Sequence, residues 1–179
     1  MSPEQILGIF GLGEERELAV AVCNQQVKVA REVVIGTPGD LKRLDLVIRF
    51  GSAATLLIEI KRLSYERAGN LGNLEPYRER LDMEPGVKEA VLLVTEATEA
   101  EATEIRVAGW LLRTWRGVGL ALRREAARIC KSGKDLLKPG LWLCFAGAIE
   151  QNLLGFEVAA TGYSPSARQT KQYLEEFLS

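Results

Sequence analysis

The sequence contains no histidine, and this absence removes the usual ways of building a hydrolytic site. Catalytic triads and Cys-His dyads need an imidazole as the general base, and most catalytic zinc sites use one as a ligand. Acid–base chemistry would therefore come from aspartate, glutamate, lysine or tyrosine. Hard cations remain available, because carboxylate and carbonyl oxygens bind them without imidazole.

Cysteines and long apolar runs are also scarce. The three cysteines (Cys23, Cys130 and Cys144) form no Cys-x-x-Cys pair, so we expect small buried side chains rather than a disulfide framework. The best candidate for a membrane span, residues 141–149, is well short of the roughly 20 apolar residues required. The start of the chain also lacks the basic region of a secretory signal. These absences predict a cytoplasmic protein without membrane association.

Charge is balanced overall but uneven along the chain. The net charge is −1 over 179 residues, a length that suits one globular domain. Residues 105–138 hold nine basic and two acidic residues, whereas residues 75–104 hold nine acidic and three basic residues. The basic segment can be a phosphate-facing surface or a set of solvated helix faces, and charge alone does not decide between them.

Hydrophobic periodicity predicts a mixture of helices and strands. Helical patterns cover residues 3–25, with a break near 11–13, and begin again near 74, 115 and 169. Strand patterns cover residues 27–35, 43–50, 54–63, 88–96 and 107–113. Because these strands are apolar on both faces, we expect an α/β fold with a central mixed β-sheet flanked by helices.

Three charged residues occur in the hairpin that the second and third strands are expected to form. Asp45 lies in RLDLVIRF, and Glu59 and Lys61 lie at the end of ATLLIEIKRL. Side chains alternate along a strand, so Glu59 and Lys61 share a face. The hairpin would bring Asp45 beside Glu59.

Such charges need partners, because burying an isolated charge is costly. Two neighbouring carboxylates repel each other, and a divalent cation removes that repulsion. A nearby lysine can then orient or deprotonate an attacking water. The alternative for the same residues is a salt bridge at the point where the strand leaves the sheet.

The order and spacing of these residues resemble the PD-(D/E)XK nuclease superfamily, which has the restriction-endonuclease-like fold. In that family a hairpin carries an Asp on one strand and Glu-x-Lys on the next, matched here by Asp45, Glu59 and Lys61. The proline of the motif is absent, since Leu44 precedes Asp45. The resemblance covers residues 14–125 and implies a single nuclease-like domain over 1–179, with residues 126–179 as a C-terminal extension of helix and strand.

Two further parts of the family pattern have counterparts. A helix before the hairpin often supplies a glutamate, and GLGEERELAVAV offers Glu17, with Glu14 and Glu15 as rivals. One branch of the family carries Gln-x-x-x-Tyr on the helix after the Glu-x-Lys strand. Asn73 and Tyr77 occupy those positions here. Asn73 keeps the amide with a shorter reach, and Tyr77 can equally be a half-buried helix residue.

The resemblance implies metal-dependent hydrolysis of phosphodiester bonds in nucleic acid, DNA more than RNA. Mg²⁺ or Mn²⁺ would be bound by Asp45, Glu59, the Ile60 carbonyl and Glu17, while Lys61 would help to activate water. The residues expected to contact substrate are Asn73, Tyr77, Arg62, Arg67, Arg113 and Arg116. A homodimer or an accessory protein would supply further specificity.

Two other classes of function stay open. A catalytically inactive protein of the same fold would bind nucleic acid or join a complex without cutting. A small-molecule hydrolase or carrier on an unrelated α/β fold is the second alternative. It has little support, because GIFGLG (8–13) begins inside a predicted helix and lacks the preceding strand of a dinucleotide site.

Overall fold

The computed structural model describes residues 1–37, 40–61, 74–132 and 137–154. Five strands form one mixed sheet, and helices precede, separate and follow them. The predicted α/β class is confirmed, and this architecture is consistent with a restriction-endonuclease-like core.

The strands lie in the sheet in the order in which they occur in the chain. They are β1 (Val27–Thr37), β2 (Asp40–Phe50), β3 (Ala54–Ile60), β4 (Val87–Val94) and β5 (Leu111–Thr114). The first two pairs are antiparallel, and the pairs β3–β4 and β4–β5 are parallel. Each parallel pair is connected through a helix, because parallel neighbours need a crossover.

Six helices are described. They are α1 (Pro3–Ile9), α2 (Arg16–Val22), α3 (Glu75–Asp82), α4 (Glu99–Val107), α5 (Trp115–Ser132) and α6 (Leu137–Asn152). Pro76 lies in the first turn of α3, where its missing N–H costs nothing. Thr98 caps α4 through a capping box with Glu101.

The chain divides into two compact units. The sheet unit consists of residues 1–8 and 12–114, and the helical unit consists of residues 9–11 and 115–179. All five strands belong to the sheet unit. The sequence predicted one domain with a core over 14–125, and that boundary stays a prediction.

One face of the sheet, which we call the α3 face, carries a hydrophobic core of the sheet unit. Leu57 of β3 and Leu92 of β4 pack there against Tyr77 and Leu81 of α3. The opposite face, called the α2 face, presents the alternate side chains of the same strands, such as Ile58. Helix α2 packs on β3 and β4 and buries Leu18 and Val22. Burial on both faces accounts for the nearly continuous apolar sequence of β3.

Strand β2 is irregular around Asp45. Leu44 and Val47 both belong to the core of the α3 face, although a regular strand would direct residues three apart to opposite faces. In the facing part of β1, Glu32 has a left-handed backbone with φ of 50°. Asp45 therefore lies at a local departure from regular β geometry.

The element predictions agree with the structure at most positions. The predicted break at 11–13 is confirmed, because α1 ends at Ile9 and α2 begins at Arg16. The fifth strand starts only at Leu111, since α4 extends through Val107. The C-terminal helix predicted over 169–178 lies outside the described residues.

The prediction of buried cysteines is wrong. Cys23, Cys130 and Cys144 are free thiols and all three are exposed. Cys23 ends α2, and the other two lie on α5 and α6 at positions that point away from a core. Apolar neighbours in the sequence do not bury a helical residue that lies off the apolar stripe.

Within the described ranges, no helix combines the length and the apolar character that crossing a membrane requires.

Candidate active site

The β2–β3 hairpin brings Asp45 and Glu59 together at one end of the sheet. Regular pairing runs from Phe50 opposite Ala54 to Leu46 opposite Ile58. One residue further along, Oδ2 of Asp45 accepts a hydrogen bond of 2.7 Å from the backbone amide of Ile60. The hairpin thus holds the Asp45 carboxylate next to the Glu59–Ile60 peptide, as the sequence predicted.

Glu59 is a buried carboxylate with one oxygen paired and one unpaired. The residue is 3% exposed. Its Oε1 accepts a hydrogen bond of 2.6 Å from Nζ of Lys61. Its Oε2 is fully buried and has no hydrogen-bond partner among the described residues. An unsatisfied buried carboxylate oxygen is costly and requires an explanation.

Burial is the main influence on the protonation of Glu59. It raises the pKa of this carboxyl group above the usual value, and the nearby negative charge of Asp45 acts in the same direction. The hydrogen bond and the positive charge of Lys61 oppose the rise without cancelling it. A second positive charge at Oε2 would complete the stabilisation of the ionised form.

Lys61 combines a fixed backbone with a side chain that reaches towards solvent. Its amide donates a 2.8 Å hydrogen bond to the carbonyl of Leu93 in β4. Its side chain is 28% exposed, whereas that of Glu59 is 4% exposed. The ammonium group therefore lies between the buried carboxylate and the outside of the protein.

Tyr77 approaches the same two carboxylates from helix α3. It is buried, and its hydroxyl group donates a 3.2 Å hydrogen bond to the carbonyl oxygen of Arg43. Burial, followed by the negative charges of Glu59 and Asp45, raises the pKa of Tyr77 to about 12. The phenol is therefore protonated and acts as a donor at neutral pH.

These oxygen atoms form a suitable donor set for a hard divalent cation. Asp45 and Glu59 supply carboxylates, and the Ile60 carbonyl follows Glu59 directly in the chain. The buried Oε2 of Glu59 has no hydrogen-bond partner in the described part of the chain. Mg²⁺ is commonly held by one or two carboxylates, with waters and substrate phosphates completing its shell. In the parts of the chain that the structure describes, no group of three or more His, Cys, Asp or Glu residues could hold a metal.

The third predicted acid, Glu17, is not brought to this site. Burial raises the pKa of Glu89, and the negative charges of Glu15 and Glu17 add to the rise. Both acids therefore act on Glu89. Glu89 pairs with Leu56, three positions before Glu59. Its side chain therefore points to the α2 face, opposite to Glu59. The predicted ligand set of Asp45, Glu59, Ile60 and Glu17 is thus reduced to its three hairpin members.

Comparisons with known proteins add little. No protein-family model matches the chain, and no curated protein matches it. Among solved structures, it resembles a chain in one titled "Structure of EndoMS-dsDNA2 complex", with 20% sequence identity and a TM-score of 0.35. The match covers 56% of this chain and 43% of that chain. The likeness is too low to assign a function, so the case for one depends on Asp45, Glu59 and Lys61.

The predicted substrate-binding residues have different locations. Arg113 pairs with Leu93 at the end of β5, and its side chain lies on the α2 face. Burial lowers the pKa of Arg113, while the charges of Glu15 and Glu89 oppose that shift. Arg113 therefore belongs to a charged cluster on the other side of the sheet from Glu59. Arg62, Arg67 and Asn73 lie outside the described residues.

The part of the basic segment that lies on α5 is partly neutralised within the helical unit. Arg116 lies in the first turn of α5. On the same helix, Arg123 forms a bidentate ion pair with Glu150 of α6, and Arg128 forms one with Glu125. These pairs favour the interpretation of solvated helix faces for those two arginines.

One feature of the site was not predicted. The carbonyl of Arg43 and the irregular course of β2 join Tyr77 to the segment that carries Asp45. The only sequence signal is the run Leu44-Asp45-Leu46-Val47, in which strict alternation of apolar and polar residues breaks down.

Proposed function

We propose that the protein is a metal-dependent phosphodiesterase that hydrolyses nucleic acid, with DNA as its substrate. The observation that carries this proposal is the state of Glu59. Its carboxylate is buried at a strand end beside Asp45, with one oxygen on Lys61 and the other without a partner among the described residues. A purely structural ion pair would gain nothing from the second buried oxygen.

Asp45, Glu59 and the carbonyl of Ile60 would hold Mg²⁺ or Mn²⁺. When bound, the ion would neutralise charge on the scissile phosphate and make a coordinated water more acidic. Glu17 is left out of the proposed ligand set, because it lies near Glu89 on the α2 face. Waters and phosphate oxygens of the substrate would fill the remaining positions.

The side chains and backbone groups around the metal ligands have separate roles in the proposed reaction. Burial keeps the Glu59 carboxylate away from competing water, and the amide of Ile60 fixes the orientation of Asp45. Lys61, whose ammonium is held by Glu59 and partly exposed, would orient the attacking water and offset the negative charge that develops on the phosphate. Histidine cannot act as a general base here because the sequence has none, and cysteine cannot act as the nucleophile because all three cysteines lie outside this site.

DNA is preferred over RNA because the hairpin pattern resembles a family that acts mainly on DNA. Cutting both strands of a duplex would need two active sites, so a homodimer or an accessory protein is part of the proposal. The second subunit or the accessory protein would approach the site from the solvent side, where Lys61 is partly exposed.

Cleavage assays on matched variants test the proposal. Purified protein would be incubated with labelled single- and double-stranded DNA and RNA, in Mg²⁺, Mn²⁺ or EDTA. Glu59→Gln and Lys61→Ala should each lower the rate by at least about 100-fold, the scale of lost acid–base or electrostatic catalysis. Glu89→Gln and Lys88→Ala are the controls, because they change the same residue types away from the site. Equal rates in site and control variants would contradict the proposal.

A second candidate function is a catalytically inactive nucleic-acid-binding or complex-forming module. The supporting observation is that only two carboxylates meet at the site, with no third acid nearby in the described ranges. This alternative predicts DNA binding that is unchanged in EDTA and in Glu59→Gln, together with no cleavage by the wild type under any metal condition.

A further inference from the structure

We infer that Tyr77 is a positioning residue that fixes Asp45 against strand β3, and that it does not contact substrate. The resemblance to the nuclease superfamily placed Tyr77 among the substrate-binding residues, and the structure gives its hydroxyl group a different task. The consequence for catalysis rests on the proposed function. The positioning of Asp45 does not, and the two can be measured separately.

The first observation is the burial of the Tyr77 side chain. The residue is 7% exposed and packs in the α3-face core with Leu57, Leu81 and Leu92. A ring enclosed in this way offers no face on which a base or sugar can stack. Packing accounts for the ring, so the role of the residue beyond packing depends on the hydrogen bond of its hydroxyl group.

The second observation is the acceptor that the hydroxyl group uses. It donates to the carbonyl oxygen of Arg43, two residues before Asp45. That carbonyl lies in the irregular part of β2, where Leu44 and Val47 face the same core. Arg43 pairs with Val34 of β1, but β2 pairs with β3 only from Leu46 onward. On the side of the site, side-chain hydrogen bonds therefore hold the segment where backbone pairing with β3 is missing.

The third observation is the second attachment of the same segment. Asp45 itself accepts from the Ile60 amide at 2.7 Å. The segment is thus held from α3 by Tyr77 and from β3 by Ile60. Burial, followed by the negative charges of Glu59 and Asp45, raises the pKa of Tyr77, so the hydroxyl group stays protonated and remains a donor.

Amide hydrogen exchange followed by NMR tests this inference without a metal or a substrate. The probe is the Ile60 amide, which donates to Asp45, and the internal reference is the Lys61 amide, which donates to Leu93. Tyr77→Phe keeps the ring and removes only the hydroxyl group. It should raise the exchange rate of Ile60 relative to Lys61 by about tenfold, because a local hydrogen bond opens independently of the strand. An unchanged ratio overturns the inference.

Leu81→Ala is the matched control. Leu81 lies on the same helix and in the same core, but it makes no bond to β2 through a polar atom. Its loss should loosen the core and accelerate both amides together, so the ratio should remain at the wild-type value. A ratio that rises as much in Leu81→Ala as in Tyr77→Phe would assign the effect to general loosening and overturn the inference.

Binding of Mn²⁺, measured by calorimetry on the same proteins, connects the inference to catalysis. Loss of a residue that orients a metal ligand typically weakens affinity by about 10- to 100-fold, and we expect Tyr77→Phe to fall in that range. If the wild type binds no metal while the exchange ratio still rises, the proposed function fails and the positioning role stands. If metal binds equally to wild type and Tyr77→Phe with an unchanged ratio, the positioning role fails and the proposed function stands.

Discussion

The backbone amide of Ile60 and the Oδ2 atom of Asp45 are joined by a 2.7 Å hydrogen bond just beyond the last regular pair of the β2–β3 ladder. A side chain thus continues the connection between the strands after the backbone pairing has ended at Leu46 and Ile58. The bond gives Asp45 a structural role in addition to its proposed role as a ligand, and substitutions can separate the two.

Replacing Asp45 should therefore have two distinct effects. Asp45→Ala leaves the Ile60 amide without its acceptor and should lower the free energy of unfolding by about 1–3 kcal/mol. Asp45→Asn keeps an acceptor oxygen, so its loss of stability should be smaller, while metal binding and cleavage should fall in both variants. Urea denaturation beside a cleavage assay measures the two effects. Equal stability in the two variants would argue against the structural role of this bond.

The raised pKa of Glu59 predicts how stability depends on pH. Because burial raises the pKa in the folded state, the folded protein binds more protons than the unfolded chain above the usual value of 4.5. Stability contributed by this group is complete below that pH and is lost as pH rises through the folded pKa. Without metal, the free energy of unfolding of Glu59→Gln should therefore exceed that of the wild type increasingly across this window, and the difference should then level off.

Urea denaturation in EDTA between pH 4 and pH 8 measures this difference. Glutamine is the appropriate substitution, because its side-chain oxygen can still accept from Lys61. Parallel curves for the two proteins would show that Glu59 is ionised in the fold at no cost.

Added metal should make the wild type more stable than Glu59→Gln, the reverse of the order expected in EDTA. A ligand that binds only the folded state stabilises it by about 2.7 kcal/mol when present at 100 times its dissociation constant. Mn²⁺ should therefore raise the melting temperature of the wild type and of Glu89→Gln, and it should leave Glu59→Gln unchanged. Equal shifts in all three proteins would indicate metal binding elsewhere on the chain.

Gly86 should not tolerate a side chain. Its φ is 76°, and an added Cβ would lie 2.1 Å from the carbonyl oxygen of Ala53, at the turn that joins β2 to β3. Gly86→Ala should therefore lower the free energy of unfolding by at least about 2 kcal/mol, from backbone strain and overlap together. Gly8→Ala is the control, because a Cβ there meets nothing within 4 Å and helical alanine is favoured by about 0.5–1 kcal/mol. Thermal denaturation of both variants decides whether the contact matters.

The parts of the site that depend on local sequence were predictable. Strand alternation and a short turn were enough to place Asp45, Glu59 and Lys61 together, because the hairpin requires no distant information. Glu17 was misplaced because its location depends on which face of the sheet α2 packs against, and periodicity within α2 does not contain that information. The acceptor of Tyr77 was unpredictable for a related reason, since a backbone carbonyl leaves no trace in the sequence.

The strands lie in the sheet in the same order as in the chain, and this affects how the protein folds during synthesis. Because neighbouring strands are near each other in sequence, their pairing requires only short loops, and this favours rapid folding. Synthesis proceeds from the N-terminus, so the β2–β3 hairpin can form while β4 is still unmade. Asp45 and Ile60, 15 positions apart, would meet during that early stage. The Lys61 amide must wait for Leu93 of β4, and the nascent chain would thus assemble its two carboxylates before it fixes its lysine.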